Sequence, residues 1–200
     1  MGNAVGSHAD RHDPVTTEPK GEATIPVTPR PYGRVVTNLW TSQYAGPRYQ
    51  TDVASYISGY FDGEGCFSVA IGPRPKLRVG WEVRPSVSVS QNADRSEVLE
   101  LVAGYFGCGS IRPDLSDHTL KWESRRLTDL VEKVLPHFQQ YPLLSGKRND
   151  VDLLATICRM MIDRHHLQGA GLLEIAELAS QMNPSGSRRY SVTEIKASAR

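Results

Sequence analysis

The spacing of apolar side chains changes abruptly at residues 63–65, and this change most restricts the fold. Residues 53–61 carry apolar side chains at helical spacing, and Thr51 or Asp52 can cap that helix. From residue 76 to residue 90, odd positions are apolar or proline and even positions are polar or glycine. This alternation predicts a half-buried β-strand. The sequence therefore predicts a helix followed directly by a sheet.

The rest of the chain continues this pattern of hairpins and helices. Residues 66–71 are the expected partner strand, joined through 72–75, and a capping box at 94–97 is expected to open the next helix. The further expected elements are strands at 110–112 and 119–123 with a turn at 116–118, an amphipathic helix at 127–138 stopped by Pro142, and helices at 150–161 and 170–182. This order predicts an α+β fold, with helices on one face of an antiparallel sheet and the other face open.

Composition divides the chain into three parts. Residues 1–50 are rich in Pro, Thr and Gly and are expected to form a flexible N-terminal extension, or, in a second interpretation, an arm that wraps a nucleic acid. Residues 51–183 form the expected domain, and 184–200 a basic C-terminal tail. No apolar run approaches the roughly 18 residues that span a bilayer. We expect an intracellular protein of the cytoplasm, nucleoid or an organelle.

The positive charge is local, although the formal net charge is only +1. Basic residues outnumber acids between residues 66 and 91, with Glu82 as the single acid, whereas acids gather on the later helices, and such a local excess is expected of a surface that binds a polyanion. An open sheet face suits the DNA major groove, and a solvated strand face is the alternative. The predicted DNA-binding residues are Ser68, Arg74, Lys76, Arg78, Arg84, Ser86, Ser88, Ser90, Arg112 and Lys121.

Other residue types give weaker signals. Cys66, Cys108 and Cys158 are far apart and lack paired spacing, so we expect reduced, buried thiols and neither a disulfide framework nor a zinc site. His165 and His166 have no acid or cysteine at ligand spacing and are expected to lie at a helix end or on the surface.

The first predicted helix combines a stripe of small residues with two acids. Ser55, Gly59 and Gly63 recur every four residues, which lets a partner helix approach closely. Asp62 and Glu64 are two residues apart and therefore point in different directions. We expect them to have different roles; taken alone, they would also fit solvated acids at a helix end.

Residues 57–65, Ile-Ser-Gly-Tyr-Phe-Asp-Gly-Glu-Gly, resemble the motif that names the LAGLIDADG homing endonucleases. The resemblance extends over about residues 51–183 and includes the strand at 66–69 and the segment 106–111. It implies an αββαββα fold with a saddle-shaped antiparallel sheet.

The resemblance also implies roles for single residues. Glu64 and the Gly63 carbonyl would bind Mg²⁺, with Mn²⁺ as a substitute, and Asp62 would cap a structural element. The basic residue that polarises the site, commonly lysine in the family, corresponds to Arg125, and arginine still stabilises phosphate charge. The polar residue that organises water corresponds to Ser88, with Gln91 as the alternative.

The chain has one copy of the motif, whereas cutting two strands needs two acids. We therefore expect a homodimer in which the stripe of Ser55, Gly59 and Gly63 meets its own copy. The expected activity is cleavage of double-stranded DNA at a long, roughly palindromic target, by an intron-encoded enzyme. The alternatives are a catalytically reduced protein that binds DNA or RNA, as an intron maturase or transcription regulator, and a purely structural dimerisation domain.

Overall fold

The computed structural model of the chain describes residues 52–114, 119–184 and 186–199. The expectations for the extension at 1–50 and for the turn at 116–118 lie outside the described residues. Within the described residues, no helix is both long enough and apolar enough to cross a bilayer.

The observed elements follow the predicted order and add one helix at the end. They are α1 (Val53–Glu64), β1 (Gly65–Pro73), β2 (Trp81–Asn92), α2 (Glu97–Phe106), β3 (Ser110–Asp114), β4 (Thr119–Ser124), α3 (127–140), α4 (Lys147–Ile162), α5 (Gly169–Ser180) and α6 (Val192–Ser198). Within α3, Leu130–Val134 forms a π-helical turn between two α-helical segments.

The four strands form one antiparallel sheet in the order β1-β2-β4-β3. Phe61 of α1 is fully buried at the centre of the core, where it contacts the rings of Phe67, Phe106, Trp122 and Phe138. Burying an aromatic side chain of this size stabilises the fold by roughly 1.5–3 kcal/mol. The α+β prediction is confirmed, and α1 is fixed on the sheet by its aromatic side chain.

The connection between β1 and β2 corrects the predicted strand at 76–90. Strand β2 begins at Trp81, so Lys76 and Arg78 lie in a loop and not on the strand. The Arg74 amide donates to the Gly80 carbonyl at 2.7 Å, and Gly80 has a φ of 77°, which favours glycine. Val79 is nevertheless 1% exposed, because it reaches the core from the loop. Because Val79 is buried, the apolar and polar positions alternate before residue 81 as well, and the predicted strand began too early.

The capping box predicted at 94–97 does not form. Residues Ala93–Arg95 make a 3₁₀ turn, and α2 begins at Glu97 without a side-chain cap from Ser96. Asp94, the capping residue of the predicted box, lies inside this 3₁₀ turn, and Glu97 is the first residue of the helix, whereas the box places the glutamate at its third position. The helix therefore continues from the preceding turn.

The C-terminal segment packs against the domain. Ile195 of α6 is 2% exposed, and the Tyr190 ring meets the Trp81 ring edge-on at 5.2 Å. A capping box between Ser191 and Glu194 starts α6. The predicted boundary at residue 183 therefore separates elements that pack together. Of the thiols, Cys158 is buried as expected, but Cys66 is exposed at the start of β1.

A buried histidine, His137 of α3, connects this helix to α1 and α2. The Ser58 hydroxyl donates to the Tyr141 carbonyl at 2.7 Å and accepts from His137 Nε2 at 3.1 Å. The Tyr105 hydroxyl lies 3.0 Å from His137 Nδ1 and donates to it. Burial lowers the pKa of His137 to about 4, partly opposed by the charge of Asp52. The imidazole is therefore neutral in the folded protein at neutral pH.

This pKa predicts an acid-dependent loss of stability. Above pH 6.5 His137 is neutral in both the folded and the unfolded chain, so it does not lower the free energy of unfolding. Between pH 6.5 and about 4 the unfolded chain binds a proton at His137 and the folded chain does not, so the free energy of unfolding falls as the pH is lowered. Urea unfolding at pH 7.5 and 4.5 should show that His137→Gln reduces the pH-dependent loss by about 2 kcal/mol relative to the unmodified protein. An equal loss in both proteins would contradict this assignment.

Candidate active site at the end of the first helix

The junction between α1 and β1 places Glu64 at a sharp change of backbone direction. The Asp52 carboxylate caps α1 by accepting from the Ala54 amide at 3.1 Å. Gly65 ends the helix with an extended backbone (φ −72°, ψ 151°), and a Cβ at this position would lie 2.6 Å from the Phe61 carbonyl oxygen. Only glycine fits here, so the tight turn fixes Glu64 at the end of the helix.

Asp62 holds the loop that precedes α4. Its carboxylate accepts from the Leu144 amide at 3.1 Å and from the amide and hydroxyl of Ser145. The hydrogen bond from the Ser145 hydroxyl lowers the pKa of Asp62. Asp62 therefore has a structural role, but the predicted capping role is wrong: it holds a loop 82 residues away in the sequence, and α4 has no side-chain cap.

The same contact brings Lys147 to the motif. Lys147 is the first residue of α4, and its Nζ donates to the Gly63 carbonyl oxygen at 2.7 Å. Sequence reasoning missed this residue, because no local pattern links the start of a late helix to the end of the first. The only hint in the sequence was the Lys-Arg pair just after Pro142, at the start of the next predicted helix.

Arg125 occupies a different place. Its Nε lies 3.0 Å from Glu123 Oε2, and Arg112 bonds the same carboxylate. Arg125 directly follows Ser124 of β4, which pairs with Val87 of β2. Glu64 directly precedes Gly65 of β1, which pairs with Val89 of β2. The two residues therefore lie two strands apart in the sheet. Strand spacing and rise put the Cα atoms of Arg125 and Glu64 roughly 15 Å apart. Among the described residues, the acid that pairs with Arg125 is Glu123.

Gln91 lies closer to the junction. Its Nε2 donates to the Tyr60 hydroxyl at 3.1 Å, and that hydroxyl lies 3.3 Å from the Ser90 carbonyl. Burial raises the pKa of Tyr60, and the charge of Glu64 adds to the effect. The Glu64 carboxylate makes no hydrogen bond or ion pair with any described residue. In the part of the chain that the structure describes, Glu64 is thus an exposed acid without a structural partner.

Ser88 lies one step farther along the sheet. The register places Ser88 between Cys66 and Glu123, and its side chain is only 8% exposed. The register ends at Gly65, opposite Val89. Of the two residues proposed to organise water, Gln91 is the one whose side chain forms a hydrogen bond with α1, at Tyr60.

The predicted DNA-binding residues divide between the open sheet face and its margin. Cross-strand partners share a face, so the register places on the open face Ser68, Arg84, Ser86, Ser88, Ser90, Arg112 and Lys121. Arg74 lies just after β1 and pairs with Glu82 at 3.1 Å. Lys76 and Arg78 are exposed in the adjoining loop.

The small-residue stripe of α1 is exposed. Ser55, Gly59 and Gly63 all face solvent, and a Cβ added to Gly59 or Gly63 would meet nothing within 4 Å. Contacts within residues 52–114, 119–184 and 186–199 therefore do not explain why Gly59 and Gly63 are small. Leu144, beside Asp62, is 94% exposed, and Tyr56 is 45% exposed.

The donor atoms at the junction suit a hard cation. Glu64 offers a carboxylate, and the Gly63 carbonyl already accepts one cationic group, the Lys147 ammonium. Mg²⁺ prefers such oxygen ligands and keeps waters or phosphate oxygens for its other positions. Among the described residues there is no cluster of three or more His, Cys, Asp or Glu side chains that could hold a metal. A cation here would need ligands from outside one chain.

Comparison with known sequences identifies the family. The model of the LAGLIDADG endonuclease family matches residues 57–158, and the chain belongs to this family. Homing endonuclease I-ApeII of Aeropyrum pernix is 30% identical over 145 residues, which cover 70% of this chain and 86% of that protein. A probable intron-encoded endonuclease of Neurospora crassa is 30% identical over 130 residues, or 64% of this chain. The chain spans only 29% of the length of that fungal protein.

Solved structures agree with this assignment. The homing endonuclease I-TnaI superposes with a TM-score of 0.64 at 29% identity, over 72% of this chain and 94% of that one. The LAGLIDADG homing endonuclease I-LtrWI bound to its target DNA superposes with a TM-score of 0.64 at 30% identity, over 66% of this chain and 44% of that one. The predicted LAGLIDADG fold is confirmed.

Proposed function

We propose that this chain is a site-specific DNA endonuclease that hydrolyses phosphodiesters with Mg²⁺ at Glu64. The observation that carries the proposal is the Glu64 carboxylate, which is exposed and has no partner within the described residues, beside the Gly63 carbonyl oxygen, with the Lys147 ammonium 2.7 Å from that oxygen. The relatives named as homing endonucleases, and the DNA-bound state of I-LtrWI, support double-stranded DNA as the substrate.

The proposed roles follow from the chemistry of each group. Glu64 and the Gly63 carbonyl would hold Mg²⁺, which stabilises negative charge on the reacting phosphate and lowers the pKa of bound water. Lys147 would yield the Gly63 carbonyl oxygen to Mg²⁺, because two cations repel each other on one oxygen, and its ammonium could then bond a phosphate oxygen. Gln91, fixed by Tyr60, would orient water near Glu64. Arg125 remains a second candidate for stabilising phosphate charge.

Glu64→Gln tests the metal ligand. The substitution removes the carboxylate charge while keeping the shape of an exposed side chain, so folding and DNA binding should persist. With Mg²⁺ and DNA from an uninterrupted host locus, we expect the cleavage rate to fall by about a hundredfold or more. Affinity measured in Ca²⁺ should change by less than about threefold. Cleavage by the variant at the unmodified rate would contradict the proposal.

Lys147→Met and Arg125→Met separate the two candidate cations. If Lys147 acts on the phosphate, its loss should lower the single-turnover cleavage rate by about ten- to a hundredfold, whereas Arg125→Met should stay within about threefold. Binding in Ca²⁺ and thermal unfolding serve as controls for both proteins. The reverse order of effects would restore the assignment to Arg125.

We further propose that the active form is a homodimer joined through α1. Gly59 and Gly63 leave open space on that helix, and Leu144 adds a fully exposed apolar side chain beside it. A two-fold axis along this stripe would bring two Glu64 residues together, one for each DNA strand. The target would then be long and approximately palindromic, since each copy contacts one half.

A further inference from the structure

A groove of about 600 Å³ lies beside β1, away from the Glu64 junction. One wall is formed by β1 residues 68–73 with Arg74, Glu82 and Arg84, and the other by residues 186–190 with Val192 and Ile195. β1 is an edge strand of the sheet, so the groove follows the margin of the open face. The second wall comes from residues 184–200, which the sequence analysis expected to be a basic tail.

The backbone of this edge is already occupied. Asn183 Nδ2 donates to the Phe67 carbonyl at 2.8 Å, and Arg188 Nη1 donates to the Val69 carbonyl at 3.1 Å. Arg188 also bonds the Ala179 carbonyl of α5. An added β-strand would need these same carbonyls. The edge is therefore closed to strand addition at these positions, and Arg188 serves to fix the C-terminal segment.

The charge of the groove favours a polyanion. Four arginines and one glutamate line it, and Arg74 pairs with that glutamate, Glu82. Arg84 and Arg189 are exposed and form no ion pair within the described residues. Arg84 Nη2 lies over Gly72, where an added Cβ would be 3.7 Å away. Arg189 lies over the Tyr190 ring, with Cζ 5.5 Å from its centre.

These guanidinium groups are presented from a fixed backbone. Tyr190 packs on Trp81, and Ile195 is 2% exposed beneath the segment. Little ordering cost would therefore accompany contact with a ligand. Ser68 and Arg84 line the groove and also lie on the open sheet face. A duplex lying on that face would reach the groove with its flank.

We propose that this groove binds the sugar-phosphate backbone of the DNA, with Arg189 as a phosphate contact that extends the sheet surface. The proposal rests on DNA being the substrate. Phosphate contacts position a duplex without reading its sequence, so the groove adds affinity and not target specificity.

The test compares Arg189→Gln with Arg159→Gln, which removes an exposed arginine from α4 and leaves the groove intact. Affinity for a fluorescein-labelled, random-sequence 40-base-pair duplex (length chosen as roughly a long site) is measured in Ca²⁺ against KCl concentration. In the proposed homodimer, losing one phosphate contact per protomer removes two contacts per complex, so the slope of log K against log salt should fall by about 1.8 and binding should weaken about sixtyfold at 0.1 M salt. Arg159→Gln should change neither quantity.

Each other result would overturn the proposal. An unchanged slope in Arg189→Gln would exclude the contact, and equal losses in both variants would reduce the effect to net charge. Thermal midpoints of both variants equal to that of the unmodified protein show that folding is retained. Failure of the unmodified protein to bind duplex DNA would instead defeat the proposed function, and the groove proposal with it.

Discussion

The contact between the end of α1 and the start of α4 organises this site. Asp62 accepts hydrogen bonds from Leu144 and Ser145, which sets the position of the loop before α4. Lys147 then reaches the Gly63 carbonyl. Because Gly65 turns the chain immediately afterwards and Phe61 anchors α1 in the aromatic core, the Glu64 carboxylate is left exposed between fixed neighbours. Asp62 is therefore structural, whereas Glu64, which has no partner within the described residues, is available for chemistry.

Local patterns predicted the elements well where burial alone determines them. The alternation along β2 and the apolar spacing of α1 and α3 each gave the correct element, because side-chain period follows directly from secondary structure. The pattern failed at 76–80, where Val79 is buried from a loop. It also failed at the capping box 94–97, because Asp94 lies inside a 3₁₀ turn. Tyr190, just before α6, packs on Trp81, which lies more than a hundred residues earlier in the sequence.

The candidate site was only partly predictable for the same reason. Glu64, Gly63 and Asp62 lie within one short motif, so their positions follow from the end of a single helix. Lys147 reaches them through a tertiary contact that no local spacing encodes, whereas Arg125 pairs with Glu123 on β4. The exposed stripe of α1 was predictable from its small residues, and nothing within the described residues covers Gly59 or Gly63. One chain offers a carboxylate and a carbonyl, and the proposed second copy supplies the other half.

The most direct test of this account is whether two copies of α1 approach each other at Gly59. In a Cys66→Ser background, Gly59→Cys should form a disulfide-linked dimer on mild oxidation, since a disulfide requires Cα atoms within about 7 Å. Gly104→Cys, at another exposed helical glycine with open space around it, should remain monomeric on a non-reducing gel. Cross-linking of both variants to the same extent, or of neither, would contradict a homodimer joined through this helix.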